Sequence, residues 1–230
     1  MRKGMVIDLD RCIGCQTCAM VCKIHNACPP KMWWNRVSTI GTKTHQEAVL
    51  GKDGKPHMDF LPLSCQHCED APCQRVCPTG ATYTTEDGTV LVDFEKCIGC
   101  RFCFSACPYG VRQFNWEDAA AEKSDYINCD YGYPFDYREG KEQHLVYTKD
   151  RPKGVTEKCT FCAEYTAQGI EPACVRACPQ TARFFGDLDD PQSEVSKKLE
   201  KGNAVRLHEE YGTKPKVYYV VKDKEVLAND

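Results

Sequence analysis

Sixteen of the eighteen cysteines fall into four runs of four, and this pattern constrains the chain more than any other feature. The first run is Cys12, Cys15, Cys18 and Cys22, spaced C-x2-C-x2-C-x3-C. The second is Cys65, Cys68, Cys73 and Cys77, spaced C-x2-C-x4-C-x3-C and followed by Pro78. The third, Cys97, Cys100, Cys103 and Cys107, repeats the first spacing and is followed by Pro108. The fourth, Cys159, Cys162, Cys174 and Cys178, is spaced C-x2-C-x11-C-x3-C and followed by Pro179. Only Cys28 and Cys129 lie outside the runs.

A cube of four irons needs one thiolate per iron, and a loop with ligands three residues apart wraps three of its corners. The fourth cysteine, expected to start or lie in a helix leading away, reaches the neighbouring cube, as in two-cluster bacterial ferredoxins. Gly14 and Gly99 let the backbone close around the cube, where its amides can bond the sulfurs. The prolines fix the exit of each loop. Structural zinc sites use paired C-x2-C units separated by a longer stretch rather than three ligands in seven residues. Disulfides require no such packing of cysteines. The spacing therefore predicts sixteen ligands to four [4Fe–4S] clusters. A C-x3-C-x2-C triplet with one open iron, which a radical enzyme needs, is absent from the sequence.

Internal repeats suggest how the runs pair. The stretch Gly4 to Cys15 matches Thr89 to Cys100, each alternating as a short strand before opening a cysteine loop. Cys77-Pro78-Thr79-Gly80-Ala81 likewise matches Cys178-Pro179-Gln180-Thr181-Ala182. Such self-similarity points to duplicated units. Runs two and three, joined by a hairpin from Tyr83 to Val92 with an Asp87-Gly88 turn, form one ferredoxin-like unit over residues 58–126. Runs one and four complete a discontinuous outer unit over 1–57 and 127–190, with a helix and strand extension over 191–230. The expected fold is thus α+β: two ferredoxin-like 2[4Fe–4S] units, one inserted in the other, with long connecting loops.

On the crossed ferredoxin rule, one cluster takes Cys12, Cys15, Cys18 and Cys178, and its neighbour takes Cys159, Cys162, Cys174 and Cys22. The inserted unit gives Cys65, Cys68, Cys73 and Cys107 to one cluster, and Cys97, Cys100, Cys103 and Cys77 to the other.

The connections at about 29–57 and 127–156 hold Pro29-Pro30, Trp33-Trp34, Gly51 to Gly54 and the aromatic segment Tyr126 to Tyr137. Loops of this length suit binding surfaces, and equally padding over clusters. Asp190-Pro191 opens an expected helix through Leu199, and Lys216 to Val221 reads as a strand. Cys28 and Cys129 lack ligand spacing and read as buried cysteines. His67 reads as a space-filling or surface residue, Lys158 and Arg101 as solvated neighbours of ligands, and Trp33, Trp34 and Trp116 as packing.

The net charge of −3, from 30 basic and 33 acidic residues, gives no ground for nucleic-acid binding. No apolar run reaches the roughly 20 residues of a membrane span, and the N-terminal apolar run is too short for a secretion signal. No carboxylate pair, Ser/His/Asp set or Gly-rich phosphate loop stands out, so no catalytic residue is expected in this chain.

The runs, their order, the long gap in the fourth and the closing Gly212 to Tyr219 resemble the four-cluster electron-transfer subunits of complex iron–sulfur molybdoenzymes. These include the subunits of dimethyl sulfoxide, polysulfide, thiosulfate and arsenate reductases. The resemblance spans nearly the whole chain. It implies docking on a large catalytic subunit with a molybdenum or tungsten bis-pterin cofactor. Electrons would pass towards a quinone-reactive membrane subunit or another carrier, with the cluster of Cys12, Cys15, Cys18 and Cys178 nearest the pterin. Relatives with tryptophan in place of a third-run cysteine hold a [3Fe–4S] cluster, whereas Cys100 implies a full cube. The polar stretch after Val221 implies indirect membrane contact, in a membrane-associated complex or soluble heteromer exported folded with its partner, or else a cytoplasmic one. A free polyferredoxin has the same cluster chemistry and stays open as an alternative.

Overall fold

The computed structural model describes residues 1–29, 31–42, 47–50, 54–116, 151–221 and 227. The first elements are β1 (Lys3–Asp8), α1 (Thr17–His25), β2 (Asn35–Thr39), β3 (Val49–Leu50), β4 (Pro56–His57) and β5 (Phe60–Ser64). Next come α2 (Pro72–Arg75), β6 (Thr82–Thr84), β7 (Val90–Val92), α3 (Phe102–Ala106) and β8 (Gln113–Phe114). After the gap follow β9 (Thr156–Glu157), α4 (Ala163–Thr166), α5 (Ala173–Arg176), β10 (Arg183–Asp187), α6 (Glu194–Leu199), β11 (Ala204–Val205) and β12 (Val217–Val220). This mixture of short helices and strands agrees with the expected α+β class.

Strand β1 is buried along its whole length because it has a neighbour on each side. The sheet runs β10-β1-β12-β11. β10 pairs antiparallel to β1, Met5 opposite Phe185, and β12 runs parallel to it, Met5 opposite Val217. The closing segment of the chain is therefore a central strand of the sheet. Helix α6 covers one face, its Val195 packing with Val6 and Val220. It begins later than the Asp190-Pro191 start expected. Asp190 instead forms a turn, its carboxylate accepting from the Gln192 amide at 2.9 Å. The cap falls to Ser193, whose Oγ accepts from the Ser196 amide at 3.2 Å.

The β6–β7 hairpin closes where expected, with Gly88 at φ 78° and the Thr85 amide bonded to the Thr89 carbonyl at 2.9 Å. The same bond joins both strand pairs to their cysteine loops. The Asp93 amide donates to Ala81 O at 2.7 Å, and the Asp8 amide donates to Ala182 O, also at 2.7 Å. The sequence repeats thus have a geometric counterpart.

Two expectations change. The connection at 29–57 is not a plain loop: Asn35–Thr39 pairs antiparallel with Phe60–Ser64, with Val37 opposite Pro62. This ladder lies over the first run, where the Gln16 side chain donates to Val37 O at 3.1 Å. The helices also sit differently. Cys18, Cys73, Cys103 and Cys174, the third cysteines, lie within helices. Of the fourth cysteines only Cys22 is helical, and Cys77, Cys107 and Cys178 follow a short helix instead. The third and fourth cysteines are four residues apart in every run, and in α1 one helical turn stacks Cys18 and Cys22 along the same face. Among the described residues, no helix is long and apolar enough to cross a membrane.

Candidate metal centres

Three cavities are each lined by four cysteines drawn from two runs. One is lined by Cys12, Cys15 and Cys18 of the first run with Cys178 of the fourth. Another is lined by Cys159, Cys162 and Cys174 with Cys22. The third is lined by Cys97, Cys100 and Cys103 with Cys77. The remaining cysteines also cluster: the Cys107 thiol feels Cys65 and Cys73, and Cys68 feels the same two.

The loops share one local design. Gly14 and Gly99 have φ of 66° and 67°, and the residues two further on, Gln16 and Arg101, have 62° and 64°. A Cβ on Gly14 would run into the Phe60 ring, and one on Gly99 into the Gly154 carbonyl. In the second and fourth runs the turn falls on His67 (φ 44°) and Phe161 (φ 56°). Their amides donate to Cys65 Sγ and Cys159 Sγ, each at 3.4 Å. Amides also reach the fourth cysteines, Thr82 to Cys77 at 3.5 Å and Ala182 to Cys178 at 3.3 Å. Such bonds are among the determinants of cluster potential.

Burial drives several of the deeper thiols upward. Cys22 and Cys162 are raised well above the ordinary range, by burial first and then by neighbouring thiols. Cys159 and Cys68 are pushed up to about 12 for the same reasons. At Cys77 burial also pushes upward, but hydrogen bonds from Thr82, Thr79 and Ala81 outweigh it and hold the thiol low. Buried sets of this kind carry thiolates only when a bound cation supplies the opposing charge, and iron does so. Arg112 adds a further sign of fit. Its Nη1 is buried beside these thiols and has no hydrogen-bond partner among the described residues. The residues present therefore suit an iron–sulfur group.

Several side chains differ from their sequence reading. His67 is wholly buried and stacks on Phe161, so it fills space but is no surface residue. Lys158 is buried rather than solvated, donating to Val90 O and to Cys159 O, the latter at 2.8 Å. Arg101 lies over Phe114 and Trp116, 4.2 and 4.3 Å from their centroids. Trp33 packs under Lys23, and Trp34 is buried with Nε1 donating to Glu157 Oε2 at 3.2 Å. Cys28 is buried, its thiol pushed up to about 12 by burial despite Arg151 and Lys23 nearby. Cys129 and the Tyr126 to Tyr137 segment lie outside the described residues.

Reading the sequence missed three features. His25 Nε2 lies 2.5 Å from Glu164 Oε1, both buried beside Cys162. Arg151 pairs with Glu157 at 2.8 Å in the interior. Arg112 and Arg183 are buried among the thiols. The first two carried no sequence signal, since their meaning lies in partners far along the chain. The last did: each arginine stands five residues after a Cys-Pro cysteine, at Cys107 and Cys178.

Comparison with known proteins gives a consistent result. The family model "4Fe-4S dicluster domain" matches residues 56–132 and 143–188, and "4Fe-4S binding domain" matches 3–24. The first spans runs two to four. A Halobacterium salinarum protein described as the iron–sulfur subunit of a dimethyl sulfoxide reductase is 44% identical over 94% of this chain and 78% of its own. The iron–sulfur subunit of an arsenate respiratory reductase from a Shewanella species is 39% identical over 96% of both chains. One of the chains of the Wolinella succinogenes polysulfide reductase is 34% identical over 94% of this chain and 93% of its own.

Proposed function

The chain belongs to the family of iron–sulfur electron-transfer subunits of oxidoreductase complexes, and we propose that it relays electrons through four [4Fe–4S] clusters within such a complex. It is not the catalytic subunit. The observation that carries the number four is the sorting of thiols into mixed sets. Three cavities each combine three cysteines of one run with the fourth cysteine of another, and Cys107 gathers with Cys65 and Cys73 in the same manner. The ligand sets are then Cys12, Cys15, Cys18, Cys178; Cys159, Cys162, Cys174, Cys22; Cys65, Cys68, Cys73, Cys107; and Cys97, Cys100, Cys103, Cys77.

When bound, the clusters supply one-electron redox chemistry. The chain's own residues hold them in a row and bury the ligands of its middle, among them Cys159, Cys162, Cys174, Cys65, Cys68 and Cys73. Arg183 reaches both Cys18 and Cys174. Cys65 lies close enough to Cys159 to push its thiol up, and Cys73 bears likewise on Cys103. The order is thus run one, run four, run two, run three. Shared strand geometry at Ala81 and Ala182 supports two ferredoxin-like units, with 58–126 inserted between 1–57 and 127–190, and 191–230 closing the sheet.

Both ends of the row reach the surface. Cys15 and Cys100 are exposed. Ile13 and Met20 flank the first, while Ile98, Phe102, Phe104 and Trp116 flank the second. Exposed apolar patches of this kind mark interaction sites. One end would meet a large molybdenum- or tungsten-pterin catalytic subunit. The other would meet a quinone-reactive membrane subunit or another carrier, in a membrane-associated or soluble complex. The reductase names of the relatives support this reading. The test is an anaerobic pull-down of the chain from its native host with iron, molybdenum, tungsten and zinc quantified. About sixteen irons per chain and a large molybdenum- or tungsten-bearing partner are expected. The same iron without a partner would indicate a free polyferredoxin, and zinc in place of iron would overturn the reading.

A further inference from the structure

Two buried guanidiniums occupy matching positions in different halves of the row. Arg183 donates through Nη2 to Cys18 Sγ at 3.4 Å and through Nη1 to Cys174 Sγ at 3.7 Å. Its other partners are Asn35 Oδ1 at 3.2 Å and Met5 Sδ at 3.6 Å. Arg112 donates to Thr82 Oγ1 at 3.2 Å and lines the cavity of Cys97, Cys100, Cys103 and Cys77, with the Cys73 and Cys103 thiols favouring its charge. Both arginines are at most 2% exposed. Among the described residues neither is paired with a carboxylate, in contrast to the equally buried Arg151, which has Glu157.

The placement follows a rule. Cys18, Cys174, Cys73 and Cys103 are all third cysteines of their runs, and each arginine lies between two of them. Both arginines stand five residues after a fourth cysteine, in Cys107-Pro108-Tyr109-Gly110-Val111-Arg112 and Cys178-Pro179-Gln180-Thr181-Ala182-Arg183. A lone buried cation is strongly unfavourable unless an anion offsets it. Filling the space needs only an apolar side chain, so packing does not explain a guanidinium at both positions.

We propose that Arg183 and Arg112 are fixed counter-charges, each shared by two adjacent iron–sulfur sites and raising the reduction potential of both. The inference rests on the ligand sets proposed above. Adding an electron makes a site more negative, and a buried cation favours that state with little screening by salt. Sharing one cation between two sites also lowers the penalty for reducing both at once. The side chains need not move or change protonation to do this.

The test is a redox titration followed by electron paramagnetic resonance on the complete complex. It compares the wild type with Arg183→Met, Arg112→Met and the corresponding lysine variants, with iron counted in each. Arg183→Met is expected to disfavour reduction of two clusters by tenfold or more, about 59 mV for a one-electron step, and to leave the other two unmoved. Arg112→Met should shift the complementary two, and lysine at either position should restore most of the loss. Full iron with unmoved potentials in the methionine variants would overturn the proposal, as would an equal shift of all four clusters. If a methionine variant loses iron, the lysine variant decides. Retained iron with lysine shows that the charge is what the sites need, whereas loss with lysine as well overturns the proposal. The wild-type iron count tests the ligand sets separately, so the two failures are distinguishable.

Discussion

The imidazole of His67 lies on the ring of Phe161, with centroids 3.6 Å apart and planes 19° from parallel. Each is the second intervening residue of a C-x2-C pair, so two cysteine loops meet through equivalent side chains. The stack brings the second run against the fourth. Phe161 also meets Phe185 edge-on at 5.3 Å, which ties the stack to β10. Phe161→Ala is expected to destabilise the protein by about 3–5 kcal/mol, the usual cost of emptying a buried phenylalanine site. Denaturant unfolding of the holoprotein measures this, and a loss under about 1 kcal/mol would mean that the loops hold together without the stack.

The same histidine predicts an acid limit. The Val90 amide donates to Nδ1 at 3.1 Å, so that nitrogen is unprotonated. Burial, then the charges of Lys158, Lys216 and Arg112, hold the ring's pKa well below its ordinary 6.5. The unfolded chain therefore binds a proton that the folded one refuses. This contribution to stability is complete above about pH 6.5 and declines as the pH falls below it. Iron retention should weaken over that range, and His67→Phe should move the onset lower. An unchanged acid profile in the phenylalanine variant would assign the limit to other groups.

Gly99 predicts a local defect. Its φ of 67° and the Gly154 carbonyl behind it leave no room for a Cβ. Gly80 has a similar φ of 65° but open space. Gly80→Ala should cost only the left-handed strain, about 1–2 kcal/mol. Gly99→Ala must also displace the segment carrying Gly154. Iron analysis should find about four irons fewer in Gly99→Ala and full iron in Gly80→Ala.

The Arg151–Glu157 pair predicts a cooperative loss. Glu157 also accepts from Trp34 and Asn115, and Arg151 donates to Asn26 O at 2.6 Å, so the pair joins segments following runs one and three. Burial raises the Glu157 carboxyl even though Arg151 opposes it. Glu157→Gln strands the guanidinium and should cost about 3–5 kcal/mol. Adding Arg151→Met should recover part of that loss. A double mutant whose loss equals the sum of the Glu157→Gln and Arg151→Met losses would show that the charges are not coupled.

What could be read from the sequence was whatever is local along the chain. The cysteine loops and the β6–β7 hairpin are set by neighbours within a few residues, so spacing and turn chemistry were enough. The β2–β5 ladder was read as loop because its strands are joined by a long connection and Pro62 breaks the usual strand signature. Lys158 looked solvated because nothing in Glu157-Lys158-Cys159 reveals the Val90 carbonyl that accepts from its ammonium. His25 and Glu164, 139 residues apart, meet only through the fold. The arginines at 112 and 183 were within reach, since the shared Cys-Pro offset is visible once the two segments are aligned.

The central place of β1 sets a schedule for synthesis. Its antiparallel neighbour begins at Arg183 and its parallel neighbour at Val217, so β1 and the thiols beside it emerge long before either strand that will flank them. At typical rates of translation that interval is roughly ten to forty seconds. The hairpin at Thr82 to Val92, by contrast, finds its partner almost at once. The earliest cysteines of the chain are thus among the last to be enclosed, and they spend the interval exposed to oxygen, stray metals and the cell's cluster-delivery machinery alike.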